Sequence, residues 1–282
     1  MNSTVLDPRL TRTQGQSVGL LARLRNDEPL FTAAGLFLLV LMLPTFAASV
    51  IDPRDWAGVA GWSKPLKFQF ALGVYLLSLA FFARYLPAEL SARRSYRLYA
   101  GSVVAAIMAE TLWVGGAVML GTSSHFNMGP IAGPIYGLMG LLALWLTGAS
   151  AYYAWQIARG PALADNRVVK EAIVFGLAMV LPMTAVTAGY MSGSSSHFVG
   201  SSGGHATLAL LGWARDGGDL RVSHFFATHA LHFVPLAGLL LAAWLGTRAI
   251  WAIRSFALAY TAFVVFVFLQ ALAGQPFLPF LG

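Results

Sequence analysis

Hydrophobic and polar positions alternate along the chain in long blocks rather than residue by residue. Apolar stretches cover about 30–50, 65–86, 97–121, 131–157, 168–191, 221–247 and 250–273, separated by short polar breaks. Each is long enough to carry an α-helix across a hydrocarbon core of about 30 Å. The pattern therefore predicts an all-α fold, a polytopic transmembrane helix bundle of seven spans. The weakest break lies between the last two blocks, where apolar character hardly falls around Arg248–Arg254. A six-span reading would fuse them and move the C-terminus to the other side. Pro182 and Pro235 fall inside the fifth and sixth blocks, where a missing N–H and a ring clash kink a helix.

Outside the blocks, residues 1–29 read as a polar N-terminal tail with Arg9, Arg12, Arg23 and Arg25. Its stretch from Ser17 to Arg25 reads either as a short interfacial helix with arginines toward anionic headgroups or as a disordered tail. It has no short apolar core and no small-residue cleavage site, so no signal peptide is expected. Residues 30–282 read as one domain with an outer loop at about 192–220 that is rich in Gly and Ser, either an ordered loop carrying function or flexible filler.

Composition fits this picture. Hydrophobic residues make up 57% and charged residues 10%, against about 25% charged in soluble proteins. The formal charge of +7 does not imply nucleic acid, because the basic residues are scattered through short loops rather than gathered on one face. Alternate loops sort them instead. Thirteen of eighteen Lys and Arg fall in the N-terminal tail and near Arg84–Arg97, Arg159–Lys170 and Arg248–Arg254, leaving Arg54, Lys64, Lys67, Arg215 and Arg221 on the other side. The positive-inside rule then predicts a cytoplasmic N-terminus and a periplasmic C-terminus. The absence of cysteine excludes disulfides and thiolate metal sites, so any metal must be held by His and carboxylate.

All six histidines fall at or near the predicted outer end. His125 ends the third span, His197 and His205 lie in the long loop, and His224, His229 and His232 begin the sixth. On a helix, His224, His232 and His229 project at about 0°, 80° and 140°, so only the last two can chelate one ion. Glu110 is an acid in mid-span, costly there by about 2.5–3.5 kcal/mol, and so expected to face the interior with a partner. Helical rise places it about 18 Å deep, level with His232. Glu110, His229 and His232 are therefore the expected inner centre, with His125, His197 and His224 an outer shell or second site. A structural Glu–His hydrogen bond explains the same residues. Asp219 is expected to cap the sixth helix and to pair with Arg221, orienting the loop above. Lys67 and Asn127 are candidate substrate contacts. Trp62 and Trp213 read as residues of the membrane interface, which tryptophan favours.

Ser-His-Phe occurs at 124–126, 196–198 and 223–225, and the first two extend to Ser-Ser-His-Phe. An internal duplication is one origin of such a match. Ser123–Asn127, Gly218–Ala230 and Lys64–Phe68 together resemble a group of uncharacterised bacterial multi-span inner-membrane proteins with SSHFN and GDLRVxHFxxxHA motifs. The resemblance implies fold and placement in the bacterial inner membrane, and no activity.

Known chemistries fit less well. His224-x4-His229 copies one box of membrane di-iron enzymes but the doubled HH boxes are missing; a two-haem cytochrome b arrangement needs histidine spacings that are absent; the last span has neither a retinal lysine nor the HxxxH of seven-span zinc hydrolases. The leading expectation is a His/Glu site binding a transition metal (Zn, Cu or Fe) or haem b, for redox or metal-dependent chemistry on a small or lipid-soluble substrate. The alternatives are a proton-coupled transporter using Glu110, or a scaffold subunit of a larger membrane complex.

Overall fold

A computed structural model describes residues 19–56, 59–194, 196–200, 207–208 and 211–281 of the chain. Among them a short helix α1 (Leu20–Asp27) leads into seven long helices: α2 (Pro29–Ile51), α3 (Ser63–Phe82), α4 (Arg94–Met119), α5 (Ala132–Arg159), α6 (Arg167–Gly193), α7 (Leu220–Leu245) and α8 (Ile250–Leu272). All seven are long and apolar enough to cross a membrane, with mean hydropathy from 1.4 to 2.3. The protein is thus a multi-pass membrane protein.

Each helix boundary falls within three residues of the expected block, except that α3 ends at Phe82, four short of it, in a 3-10 turn at Ala83–Tyr85. The doubtful break is real: a 3-10 turn at Gly246–Ala249 separates α7 from α8. Gly246 sits at φ +56°, a left-handed conformation that favours glycine, and this stops α7 where hydropathy alone would let it run on. The expected helix near Ser17–Arg25 is present as α1, shifted toward the membrane domain, and its Leu24 is buried. Residues 1–18 lie outside the described chain.

Lipid gives apolar side chains no reason to prefer one another, so the helices associate through small residues that admit close backbone approach. Gly35 and Gly73 form the crossing of α2 and α3, where a Cβ on either would stand about 3 Å from the other's carbonyl oxygen. Along α6 and α7, Gly176 receives Pro235 and Gly238 receives Ala172. Pro235 therefore does more than bend α7, since its ring fills the notch that Gly176 leaves. By contrast α3 and α7 share almost no close backbone approach. Side chains bridge them.

The bundle has two distinct ends. At the end where α1 leads into α2, Glu28 is buried and its carboxylate accepts a hydrogen bond from the Tyr96 hydroxyl, which also bonds the Tyr153 hydroxyl at 2.6 Å. Glu28 was expected in a polar tail and is instead part of the core. At the same end Glu171 accepts from Arg254 at 2.8 Å and from Arg167 at 3.0 Å. This is the tyrosine end.

The opposite end, where α3, α5 and α7 begin, carries two small hairpin ladders. Strand β1 (Asp55–Trp56) pairs antiparallel with β2 (Val59–Ala60), and β3 (Phe198–Val199) with β4 (Gly218–Asp219). The second ladder folds the loop after α6 back onto the start of α7. Trp213 of that loop is buried against Phe225, Phe226 and Phe277. This is the histidine end.

Candidate functional site

The Asp219–Arg221 pair builds the floor of the histidine end. Asp219 caps α7 by accepting from the Arg221 amide at 3.0 Å, and its other oxygen takes the Ala214 amide at 2.9 Å. The Arg221 guanidinium returns to the same carboxylate at 2.6 Å and donates to the Gly212 carbonyl at 2.6 Å. It also lies 5.0 Å over the Phe198 ring. One ion pair thus ties the loop residues 212–219, strand β3 and the first turn of α7 together, as expected.

On this floor the two Ser-Ser-His-Phe motifs meet. Phe126 adopts φ +57° at its turn and its ring stacks on His197 at 6.4 Å. His125 packs edge-on to Phe68 at 5.8 Å and against Tyr136 at 5.4 Å. Both imidazoles are half-buried and neutral at physiological pH. Burial, aided by the Lys64 ammonium, holds His125 down to about 3. Burial and the Arg221 charge hold His197 down to about 4, with Asp219 opposing and Lys64 adding.

Lys64, in the first turn of α3, is the charged hub of this end. Its charge acts on His125, His197 and Glu110, from α3, which those residues face. Glu110 is 4% exposed and its Oε1 has no hydrogen-bond partner. Lys64 is its charged neighbour, and the two do not close into an ion pair among the described residues. Gly61 approaches Val118, so eight residues further along α3 and back along α4, Gln69 and Glu110 lie at one depth, about 12 Å in. Gln69 donates to Thr45 at 2.8 Å and its Oε1 is also unpartnered. Two buried acceptors at one depth thus lack a donor. Lys67 stands nearer the rim, its Nζ 3.4 Å from the Leu211 carbonyl.

The remaining described histidines sit on α7, His224 toward α6 and His232 toward α3. His224 bonds Thr187 of α6 at 3.2 Å. His232 reaches Ser78 of α3 at 2.8 Å, and His229 bonds the Phe225 carbonyl at 2.8 Å. The rings of His229 and His232 are 5.3 Å apart, as their spacing of three residues predicts.

The expected inner centre of Glu110, His229 and His232 is not assembled: no group of three His, Cys, Asp or Glu side chains able to hold a metal occurs among the described residues. The expected shared depth does not hold: Glu110 lies level with Gln69, while His232 meets Ser78 nine residues further along α3, about 13 Å deeper. Glu110 looks toward Lys64 on the first turn of α3, whereas His232 looks toward Ser78 near its other end. Asn127 is spent on its own turn, donating to Thr122 at 2.8 Å and accepting from the Gly129 amide at 3.1 Å. It is not free for a substrate. His205 lies outside the described residues. No family model, curated protein or solved structure matches the chain.

Proposed function

We propose that this protein is a proton-coupled transporter of a small anionic solute in the bacterial inner membrane, with its tyrosine end in the cytoplasm. The orientation follows from the thirteen-to-five division of basic residues and from seven consecutive spans. The observation that carries the reading is Glu110: a buried carboxyl with one oxygen unpartnered, whose charged neighbour is a lysine at the mouth of the bundle.

That pairing couples two binding events. While Glu110 is ionised it offsets the charge of Lys64. Once it takes a proton, Lys64 is left with uncompensated positive charge, and an incoming anion can replace the carboxylate as its partner. Proton and anion then enter together, and the loss of either releases the other. Lys67 and Arg221 add attraction at the rim, and the neutral imidazoles of His125 and His197 supply hydrogen bonds without adding charge. Phe68, Phe126 and Tyr136 narrow the site around them.

The bundle offers a way to alternate access. The glycine-packed pairs α2/α3 and α6/α7 are each held by backbone-close contacts, while α3 and α7 touch through side chains. Rigid pairs around a loosely joined seam suit the rocking of one block against another.

Purified protein reconstituted in liposomes with a trapped pH dye tests this. Inward gradients of small carboxylates and inorganic phosphate should drive acidification for one of them, and Glu110→Gln should abolish it while the thermal transition is retained. An unchanged rate in Glu110→Gln, or no acidification with any of these anions, removes the reading.

A further inference from the structure

The histidine pair on α7 is not used by that mechanism, and hydrogen bonding fixes the protonation of both rings. His229 Nδ1 lies 2.8 Å from the Phe225 carbonyl, which can only accept, so Nδ1 carries the proton and Nε2 is bare. The Ser78 hydroxyl donates to the Val74 carbonyl at 2.7 Å. Its oxygen is thus left to accept from His232 Nε2 at 2.8 Å. The proton of His232 is therefore on Nε2, and Nδ1 holds a lone pair. That Nδ1 is buried without any hydrogen-bond partner. The opposite assignment would bury an orphaned N–H instead, the costlier arrangement.

We infer that His229 Nε2 and His232 Nδ1 form a two-nitrogen site for monovalent copper on α7, where it meets α3 through Ser78. Two neutral imidazoles one helical turn apart, with ring centroids separated by 5.3 Å, offer two donors and no third His, Cys, Asp or Glu among the described residues. Zinc takes four ligands and non-haem iron at least three from protein, so neither suits the donor count. A d10 monovalent ion accepts two imidazole nitrogens in near-linear geometry. Its single charge is also the least costly to place among apolar side chains. Phe225 stacks on the His229 ring at 3.9 Å and Phe233 lies at 6.3 Å, so aromatic packing holds the orientation of that ring. Ser78 is a positioning residue: it holds the His232 ring and its tautomer, as hydrogen-bonded partners of metal-ligating histidines do.

The test is anaerobic titration of the detergent-purified protein with Cu(I) against bicinchoninate. One equivalent should be retained by the full chain and lost from His229→Ala and from His232→Ala, while His125→Ala keeps it. Ser78→Ala should weaken retention by about 10- to 100-fold. X-ray absorption on the copper-loaded wild-type protein does not depend on any variant folding, and should report two nitrogen donors in near-linear geometry. Failure of the wild type to retain copper, which would leave the bare nitrogen to water, overturns the inference. So does retention by His232→Ala, or a sulfur or third nitrogen donor in the absorption data. Copper binding and Glu110-dependent proton movement are read separately, so either can fail alone.

Discussion

Ser78 on α3 and His232 on α7 are joined by a 2.8 Å hydrogen bond in the part of the bundle where these two helices have almost no backbone approach. The bond is directional, because the serine proton is committed to the Val74 carbonyl. Ser78→Ala leaves the imidazole N–H buried and unpaired, a loss of about 1–3 kcal/mol. Thermal unfolding in detergent should show a lowered transition for Ser78→Ala and a transition near wild type for Ser78→Thr. Equal transitions for Ala and wild type would mean the two helices are not joined here.

Asp219 is 1% exposed and holds four donors on two oxygens. Asp219→Asn removes the charge opposite Arg221 and leaves the guanidinium uncompensated. Breaking a fully buried pair costs about 3–5 kcal/mol; here the loss should be smaller, because the Arg221 side chain is 32% exposed. The effect should be local. Hydrogen exchange at the Ala214 and Arg221 amides should accelerate, while amides in α2 and α3 keep their protection. Uniform acceleration through the bundle would show that the pair supports the fold rather than the loop.

These two pairs differ in how much of them could be read from the sequence. Gly217-Gly218-Asp219 before an apolar block signals a helix start, and Asp219 and Arg221 are two residues apart, so cap and ion pair were both legible. So were the seven spans, because a block of some twenty apolar residues has one stable arrangement in lipid. Ser78 was not legible: a serine inside an apolar span most often bonds its own helix, and nothing local names a partner 154 positions away. The role of Lys64 was not legible for the same reason. Its neighbours Glu110, His125 and His197 come from three other segments, and only tertiary packing collects them. Glu28 looked like part of a charged tail because its partner, Tyr96, lies on α4.

The two neutral imidazoles of the histidine end make stability depend on pH in one direction. In the unfolded chain each histidine titrates near 6.5; folded, His125 is held to about 3 and His197 to about 4. Between these values the unfolded state binds protons that the folded state refuses, so stability falls as pH drops below about 6.5 and is flat above it. Asp52 beside Arg54, held to about 2, contributes stability above its ordinary carboxylate value and loses it only in stronger acid, outside this window. Thermal unfolding from about pH 7.5 to about 4.5 should show the decline, and His125→Phe should make it shallower, leaving the His197 contribution. An unchanged slope in that variant would place the acid sensitivity elsewhere.

The α6/α7 contact can be tested by exchanging its two facing residues. A Cβ added at Gly238 would stand 2.1 Å from the Ala172 Cβ, too close for either methyl to turn away, since neither has a rotatable bond beyond it. Gly238→Ala should therefore separate the helices and destabilise the protein by about 1–3 kcal/mol, the usual range for overpacking. Ala172→Gly alone leaves a small void and costs less. Combined, the two substitutions restore one methyl in one gap, so the double variant should be more stable than Gly238→Ala by itself, with a coupling of about 0.5–3 kcal/mol. Strictly additive losses in the cycle would mean that α6 and α7 do not meet at these two positions, and that the close seam inferred from Gly176, Pro235 and Gly238 is not what holds this half of the bundle together.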